Sequence, residues 1–277
     1  MNLDFPIESV SINISSKNLA QPSKPLLLRP HLKIDESDFF LDVCHVARYL
    51  VKNGNDIYIY PHEGADIESV KIFLNGSVLG AVLHQQGLLP LHGSSFEYKG
   101  KGVVICGHSG VGKSFVTAAF CQNGAHFIND DITPCRITKS ETFLIPIKSR
   151  IKLWDDSIRK LNIKNEDLEK IRPMLDKFYL PPGEIFPSEL RLDHLFVLAT
   201  HNKDEFAVNE LAGMDKHNML RKQIYRRVYL KGMPETEKKY FKQLFQLATR
   251  VRVTQVIRPQ ICDIYDTMRI IEKEINR

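Results

Sequence analysis

A glycine-rich segment followed by lysine and serine is the first feature of this sequence that could do chemistry. Residues 107–114 read GHSGVGKS and match the pattern GxxxxGK[ST]. An apolar strand over residues 103–106 and a helix over residues 114–123 are predicted around it, as a phosphate-binding loop requires. The alternative is a glycine turn that happens to precede lysine and serine, and the flanking elements disfavour it.

Each residue type in this segment has a predicted role in binding ATP with Mg²⁺. Glycines let backbone N–H groups surround a triphosphate at the positive end of the helix. Lys113 can reach the β- and γ-phosphates, and the Ser114 hydroxyl can ligate Mg²⁺. The predicted nucleotide-binding residues are Gly107, His108, Ser109, Gly110, Val111, Gly112, Lys113, Ser114 and Phe115.

Two adjacent carboxylates, Asp130 and Asp131, follow a predicted strand at residues 125–129. P-loop enzymes place an acid here that binds Mg²⁺ directly or through water. Phosphate transfer to a hydroxyl also needs a carboxylate to accept the proton. Because neighbouring like charges push their protonation apart, the pair can divide the metal and base roles. The alternative is a solvated turn after a strand.

A histidine, His92, begins the strand that precedes the loop strand. A lone histidine is more often structural than catalytic. Its spacing changes that balance, since His92 lies 21 residues before Lys113 and Asp131 lies 18 residues after it. A His-Gly dipeptide, a glycine-rich loop and an Asp-Asp pair therefore follow one another in a defined order.

This order and spacing resemble the catalytic domain of HPr kinase/phosphorylase over about residues 80–160. The resemblance implies that Lys113 contacts the phosphates and Ser114 binds Mg²⁺. It also implies that Asp131 is the base for the acceptor hydroxyl, with His92 near the phosphates or that base. The catalytic residues are thus predicted to be Asp131, His92 and Lys113.

The sequence differs from the full-length members of this family at two places. Phe115 follows the loop where the family has glutamate, and the later Arg-Gly-x-Gly-Ile-Ile-Asp signature is missing. Residues 150–156, RIKLWDD, are instead similar to a segment of shorter HPr-kinase-like proteins, which include lasso peptide kinases. The resemblance therefore implies a peptide-modifying kinase, and it leaves HPr as substrate and a phosphorylase activity without support.

A third acid, Asp156, falls 43 residues after Lys113, where the larger family places an acidic Mg²⁺ ligand. The predicted metal ligands are accordingly Ser114, Asp130 and Asp156. The alternative for Asp156 is an acid at a helix N-terminus that stabilises the helix dipole.

Other side chains near or beyond this segment have less specific patterns. Trp154 is interpreted as a packing anchor, and the alternative is a platform on which a base stacks. Lys177 is either a surface lysine or a contact for phosphate or acceptor. A cationic cluster on one predicted helix either steers an anion or forms a solvated face, and it consists of Arg221, Arg226 and Arg227.

Composition predicts a soluble, cytoplasmic, globular protein. The 277 residues are 43% hydrophobic and 26% charged, with a net charge of +5 that is not concentrated in a stripe. No nucleic-acid partner is predicted, because aromatic residues do not interleave with the basic ones. Five single cysteines indicate free thiols in a reducing compartment. No signal peptide and no spanning segment are predicted, hence no membrane partner.

Strands and helices alternate along the chain, which predicts an α/β fold. A hairpin over residues 94–106 favours a mixed sheet, and the resemblance implies a P-loop core of the HPr kinase / PEP carboxykinase type. We predict a small N-terminal α+β unit in residues 1–85 and a catalytic domain in residues 86–277. Within the N-terminal unit, strands are predicted at residues 10–14 and 57–60 and helices at residues 39–52 and 69–86.

The predicted function is an ATP-dependent kinase that phosphorylates a serine hydroxyl of a peptide or small protein, such as a ribosomal peptide precursor. Two alternatives stay open: a kinase for a small-molecule hydroxyl and a non-catalytic ATP-binding switch. Asp131 speaks against the switch, because a sensor has no use for a base beside the γ-phosphate. The sequence is compatible with a homo-oligomer.

Overall fold

The computed structural model describes residues 3–164, 166–172, 175–181 and 186–277. These residues form two compact units. Unit 1 consists of the chain up to residue 90 together with residues 224–243, and unit 2 consists of residues 91–223 and 244–277. The domain regions 1–85 and 86–277 are continuous stretches and stay a prediction.

A six-stranded, mostly antiparallel sheet lies in unit 1. Its strands are β1 (Ser11–Ile14), β2 (Leu27–Arg29), β3 (Leu32–Ile34), β4 (Asp38–Val43), β5 (Ala47–Lys52) and β6 (Asp56–Pro61). Their order in the sheet is β1-β6-β5-β4-β3-β2, with β1 parallel to β6. Its buried side chains include Phe39, Tyr49 and Ile59, which are 0% exposed.

The helix predicted for residues 39–52 is wrong. These residues lie in the antiparallel pair β4–β5, with Asp38 opposite Lys52 and Val43 opposite Ala47. The chain reverses at His45, whose φ of 60° lies in the left-handed region. Aromatic and β-branched residues favour strands, and the helix-like apolar spacing came from two strands on either side of one turn.

The helix predicted for residues 69–86 forms in three consecutive segments. These are α1 (Ile67–Phe73), a π-helical turn (Leu74–Val78) and α2 (Leu79–Gln85). The Asp66 side chain caps the start by accepting from Ser69 N at 2.8 Å. Gly87 follows the last segment with a φ of 71°, the left-handed conformation in which glycine ends helices. Unit 1 also contains a 3₁₀ helix (Arg227–Gly232).

The strands from Leu89 onward form two further sheets. The strands are β7 (Leu89–Tyr98), β8 (Lys101–Gly107), β9 (His126–Asn129), β10 (Ile132–Ile137), β11 (Thr142–Leu144), β12 (Lys152–Trp154), β13 (Lys170–Arg172), β14 (Leu175–Tyr179), β15 (Leu190–His201), β16 (Ala207–Glu210) and β17 (Arg252–Pro259). Strands β12, β14 and β13 form a small three-stranded sheet, and the others form an eight-stranded sheet.

The eight-stranded sheet is mixed, which confirms the predicted α/β class with a mixed sheet. Strand β8 is antiparallel to β7 and parallel to β15, and β15 is parallel to β17. In this register Leu198 lies opposite Gly107, and Thr200 lies opposite Arg258. The carboxyl ends of three parallel strands therefore meet at one edge, where ligands bind in open α/β sheets.

Helices α3 (Lys113–Gln122), α4 (Asp155–Lys160) and α7 (Ile264–Ile275) contribute side chains to one buried core. Two further helices are α5 (Gly213–Lys222) and α6 (Pro234–Arg250), which begins in unit 1. Phe120 on α3 stacks on Phe96 of β7 with ring centres 4.6 Å apart, and Ile271 on α7 belongs to the same core. This packing fixes α3 against the strands that carry the loop. None of the helices in the described ranges is long and apolar enough to cross a membrane.

Candidate active site

The loop between β8 and α3 has a backbone that needs glycine. Gly107, Gly110 and Gly112 have φ angles of 138°, 83° and 101°, which glycine adopts without steric cost. A Cβ atom at Gly107 would lie 2.6 Å from the carbonyl oxygen of Leu198, so no other residue fits there unless β15 shifts. The chain curls between strand and helix as a phosphate cradle requires.

Helix α3 begins directly after this loop with no side-chain cap. Its N-cap residue is Gly112, where many helices place a side chain that accepts the first N–H groups. The first intrahelical bond runs from Val116 N to Gly112 O at 2.9 Å. The first-turn N–H groups of Lys113, Ser114 and Phe115 therefore stay available to an anion.

Lys113 folds back over the loop and is only 8% exposed. Its Nζ donates to the carbonyl oxygens of Gly107 at 3.0 Å and His108 at 3.2 Å, and to His92 Nε2 at 3.1 Å. Burial lowers the pKa of the Lys113 ammonium group. All three contacts of this ammonium are with neutral acceptors, and a phosphate oxygen would be a stronger one.

His92 connects Lys113 with Asp131. Its Nδ1 lies 3.1 Å from the carbonyl oxygen of Asp131 and 3.5 Å from its Oδ1. Because an ammonium group only donates, Nε2 accepts from Lys113 and the ring proton is assigned to Nδ1. Burial, together with the nearby Lys113 charge, lowers the pKa of His92, although Asp131 acts in the opposite direction. The imidazole is therefore neutral near pH 7.

Asp131 has a partly exposed carboxylate and a left-handed backbone conformation. Its φ is 72°, and its side chain is 42% exposed. Aspartate is one of the few residues besides glycine that tolerates this conformation, and such backbone positions cluster at functional sites. The turn directs the chain from β9 into β10 and leaves the Asp131 carboxylate accessible to a second molecule.

Asp130, in contrast, is 6% exposed, and both of its carboxylate oxygens accept hydrogen bonds. Its Oδ1 accepts from Ser114 Oγ at 2.7 Å and from Ser94 Oγ, and its Oδ2 accepts from Lys152 N at 3.0 Å. The loop serine and the buried aspartate thus present a hydroxyl and a carboxylate oxygen side by side. Oxygen ligands of this kind are those that Mg²⁺ prefers.

Asp156 lies on the first turn of α4 with its side chain 70% exposed. Its contacts are with Ser157 Oγ at 3.5 Å and Lys160 Nζ at 4.0 Å, both on the same helix. This position suits an acid that stabilises the helix dipole, and its metal role stays a prediction. Within the described ranges, no group of three or more His, Cys, Asp or Glu side chains has a metal-binding arrangement.

The interpretation of Trp154 as a packing anchor is wrong, because the residue is 48% exposed. It lies opposite Lys177 in the β12–β14 register, and Lys177 Nζ is 5.4 Å from the centre of its ring. The Lys177 charge also contributes to the lowered pKa of Lys113. The Lys177 charge therefore acts on Lys113, the lysine that follows the glycine loop.

The prediction that Arg221, Arg226 and Arg227 lie on one helix is also wrong. Helix α5 ends at Lys222, so Arg221 is in its last turn and Arg226 and Arg227 lie beyond it. In unit 1, Tyr225 N donates to Pro90 O at 2.8 Å, and Arg226, with a φ of 50°, donates from Nη2 to Ser77 Oγ at 3.0 Å. The chain turns at this point instead of continuing a helix.

Arg258 is a residue of the site that the sequence analysis missed. Its Nη2 donates to the carbonyl oxygen of Val111 at 3.0 Å. Since the C=O and N–H of a trans peptide point in opposite directions, this bond turns Gly112 N–H away from Arg258. In the sequence Arg258 belongs to no motif, and only the parallel pairing of β8, β15 and β17 brings it to the loop.

Comparisons with known proteins give a distant structural likeness. No protein-family model and no curated protein matches this sequence. Among solved structures, the chain is similar to the HPr(Ser) kinase/phosphatase from Coxiella burnetii, with 11% identity and a TM-score of 0.35. The match covers 68% of this chain and 88% of that chain. A TM-score this low assigns no fold, so the functional interpretation rests on the geometry of the site.

We predict that removing the Lys113 charge raises the pKa of His92. In Lys113→Met one cause of the lowered pKa is lost, while Asp131 still raises it. An NMR titration of isotope-labelled histidine should give a value below 6.5 in the wild type and a higher value in the variant. Lys99→Met, which removes a lysine paired with Glu272, is the control. A His92 pKa that stays the same or falls in Lys113→Met would refute the assigned contact.

We also predict that Arg258→Gln weakens binding of ATP with Mg²⁺ by about tenfold, because the loop loses a charge-assisted hydrogen bond. Arg252→Gln is a matched control on the same strand, since Arg252 pairs with Glu210 and Glu274 instead of the loop. Isothermal titration calorimetry measures both affinities. Equal affinities for the two variants would show that Arg258 does not position the loop.

Proposed function

We propose that this protein is an ATP- and Mg²⁺-dependent kinase that phosphorylates a serine hydroxyl of a peptide or small protein. One observation carries the proposal: the two adjacent aspartates beside the loop have different partners. Asp130 is buried against Ser114, whereas Asp131 is exposed beside His92. Phosphoryl transfer to a hydroxyl needs one acid near the metal and another that accepts a proton.

The residues present fit ATP with Mg²⁺. Ser114 Oγ and Asp130 Oδ1, 2.7 Å apart, are the oxygens that would hold the metal, and Asp156 stays a further candidate ligand. The glycine loop and the uncapped start of α3 supply N–H groups for the phosphates. When bound, Mg²⁺ supplies positive charge that neutralises the phosphate oxygens.

Lys113 supplies a second positive charge for the phosphates. In the structure its ammonium donates to two carbonyl oxygens and one imidazole nitrogen. A phosphate oxygen carries negative charge and competes for these donors. A contact that strengthens as charge develops on the transferred group lowers the barrier of the chemical step.

Asp131 is the proposed acceptor of the hydroxyl proton. Its carboxylate is not part of the buried Ser114–Asp130 pair, and its exposure leaves room for an incoming hydroxyl. His92 positions it, because the Nδ1–H group donates to the Asp131 carbonyl oxygen and so supports the left-handed backbone. A neutral imidazole forms no ion pair with the Asp131 carboxylate, which leaves this carboxylate to act as the base.

The acceptor class in this proposal, a serine in a peptide such as a lasso peptide precursor, comes from the resemblance of the 150–156 segment. The cytoplasm stays the proposed location, and no membrane or nucleic-acid partner is part of the proposal. A homo-oligomer also stays a proposal.

We predict that Asp131→Asn reduces phosphate transfer by roughly 100-fold or more and changes ATP affinity little. Asparagine tolerates the left-handed backbone, so the turn is preserved. Calorimetry gives the ATP affinity, and single-turnover assays with radiolabelled ATP and a serine peptide give the transfer rate across a Mg²⁺ titration. Asp176→Asn, which removes an exposed carboxylate paired with Lys170, is the control.

Two results would count against this role of Asp131. Recovery of the Asp131→Asn rate at high Mg²⁺ would assign the carboxylate to the metal. Transfer at the wild-type rate would remove Asp131 from the chemistry altogether.

A further inference from the structure

We propose that one face of the small sheet binds the acceptor peptide through carboxylates that flank its serine. We call this surface the acceptor face, and it is formed by Arg150, Lys152, Trp154, Lys177 and Tyr179. The inference rests on the kinase function proposed above. It specifies the acceptor as an acidic peptide segment.

Two of the three strands of this sheet, β12 and β14, have one buried and one open face. Leu153 on β12 and Phe178 on β14 lie opposite each other and are 2% and 7% exposed, within the core of unit 2. Successive side chains of a strand point to opposite faces. The open face therefore carries the neighbours of these two residues, which are Lys152, Trp154, Lys177 and Tyr179.

Cations on the open face are held over aromatic rings. Lys177 Nζ lies 5.4 Å from the Trp154 ring centre, and Arg150 Cζ lies 4.4 Å from the Tyr179 ring centre. Such contacts orient a cation while leaving N–H donors for another partner.

The face carries more positive than negative charge. Arg150 pairs with the exposed carboxylate of Glu169 at 2.6 Å. In the part of the chain that the structure describes, neither Lys152 nor Lys177 pairs with a carboxylate side chain. The surface therefore has two ammonium groups that an acidic ligand can neutralise.

The acceptor face adjoins the residues proposed to transfer phosphate. Lys152 N donates to Asp130 Oδ2 at 3.0 Å, so β12 starts beside the buried aspartate. Trp154 is two residues further along, about 7 Å at the rise of a strand. Lys177 is close enough for its charge to affect Lys113. A peptide that lies along β12 is thus next to the loop and its aspartates.

An acidic peptide suits this surface better than single-stranded nucleic acid. Nucleic-acid bases bind by stacking on aromatic rings, and here Lys177 and Arg150 already cover a face of each ring. Carboxylates can pair with the same cations in the positions that they occupy. The exposed part of Trp154 then offers apolar contact to the peptide.

The experiment uses Trp154, the only tryptophan of the chain, as its probe. A peptide Glu-Asp-Glu-Ser-Glu-Asp-Glu is titrated into the 277-residue protein, and tryptophan fluorescence is followed at low and high salt. We expect a saturable change that weakens with salt. The matched peptide with Gln and Asn in place of the acids should bind at least about fivefold more weakly, as should oligo-dT.

A lysine variant and a matched control locate the contact. Lys177→Gln should raise the Kd of the acidic peptide about three- to tenfold. Lys170→Gln, on the neighbouring strand β13 and paired with Asp176 at 2.9 Å, should leave this Kd unchanged. Thermal unfolding curves establish that both variants are folded.

The outcomes separate the acceptor face from the kinase function. Equal binding of acidic and neutral peptides, equal effects of the two lysine variants, or preference for oligo-dT would overturn the acceptor face, even if ATP-dependent phosphorylation occurs. Selective binding of the acidic peptide without phosphate transfer would support the face and count against the kinase.

Discussion

The buried carboxylate of Asp130 connects the parts of unit 2 on which the proposed activity depends. It accepts hydrogen bonds from Ser94 on β7, Ser114 on α3 and the backbone N–H of Lys152 on β12. A buried carboxylate is costly unless it is hydrogen-bonded, so these three donors and the aspartate stabilise one another. Strand β7, the start of helix α3 and the start of strand β12 are therefore held together by the Asp130 side chain.

The contrast between the two aspartates follows from the backbone between them. Asp130 directly follows strand β9 and is buried, and the left-handed φ of 72° at Asp131 turns the next carboxylate towards the exterior. Of these two adjacent carboxylates, only that of Asp130 is surrounded by hydrogen-bond donors, whereas that of Asp131 is partly exposed. His92, kept neutral by burial and by Lys113, supports the turn without adding a charge.

The secondary structure around the site could be predicted from the sequence better than the contacts that surround it. The glycine loop and the Asp-Asp pair are local patterns, and their flanking strand and helix form where they were expected. The prediction of a helix at residues 39–52 is wrong, because the apolar residues of two strands on either side of a turn at His45 recur at the spacing of a helix. The exposure of Trp154 and the Arg258–Val111 bond depend on pairing between strands distant in sequence, which no local pattern contains.

The most direct test of a metal site at Asp130 is the Mg²⁺ dependence of ATP binding. In calorimetry, Asp130→Asn and Ser114→Ala should each bind ATP at least about tenfold more weakly than the wild type at saturating Mg²⁺, and equally well in EDTA. Asp193→Asn is the control, because Asp193 also accepts from a backbone N–H, that of Gly102, but pairs with Arg191. Trp154 fluorescence during thermal unfolding shows that the variants are folded. Unchanged Mg²⁺-dependent affinity in both folded variants would contradict the metal site at Ser114 and Asp130.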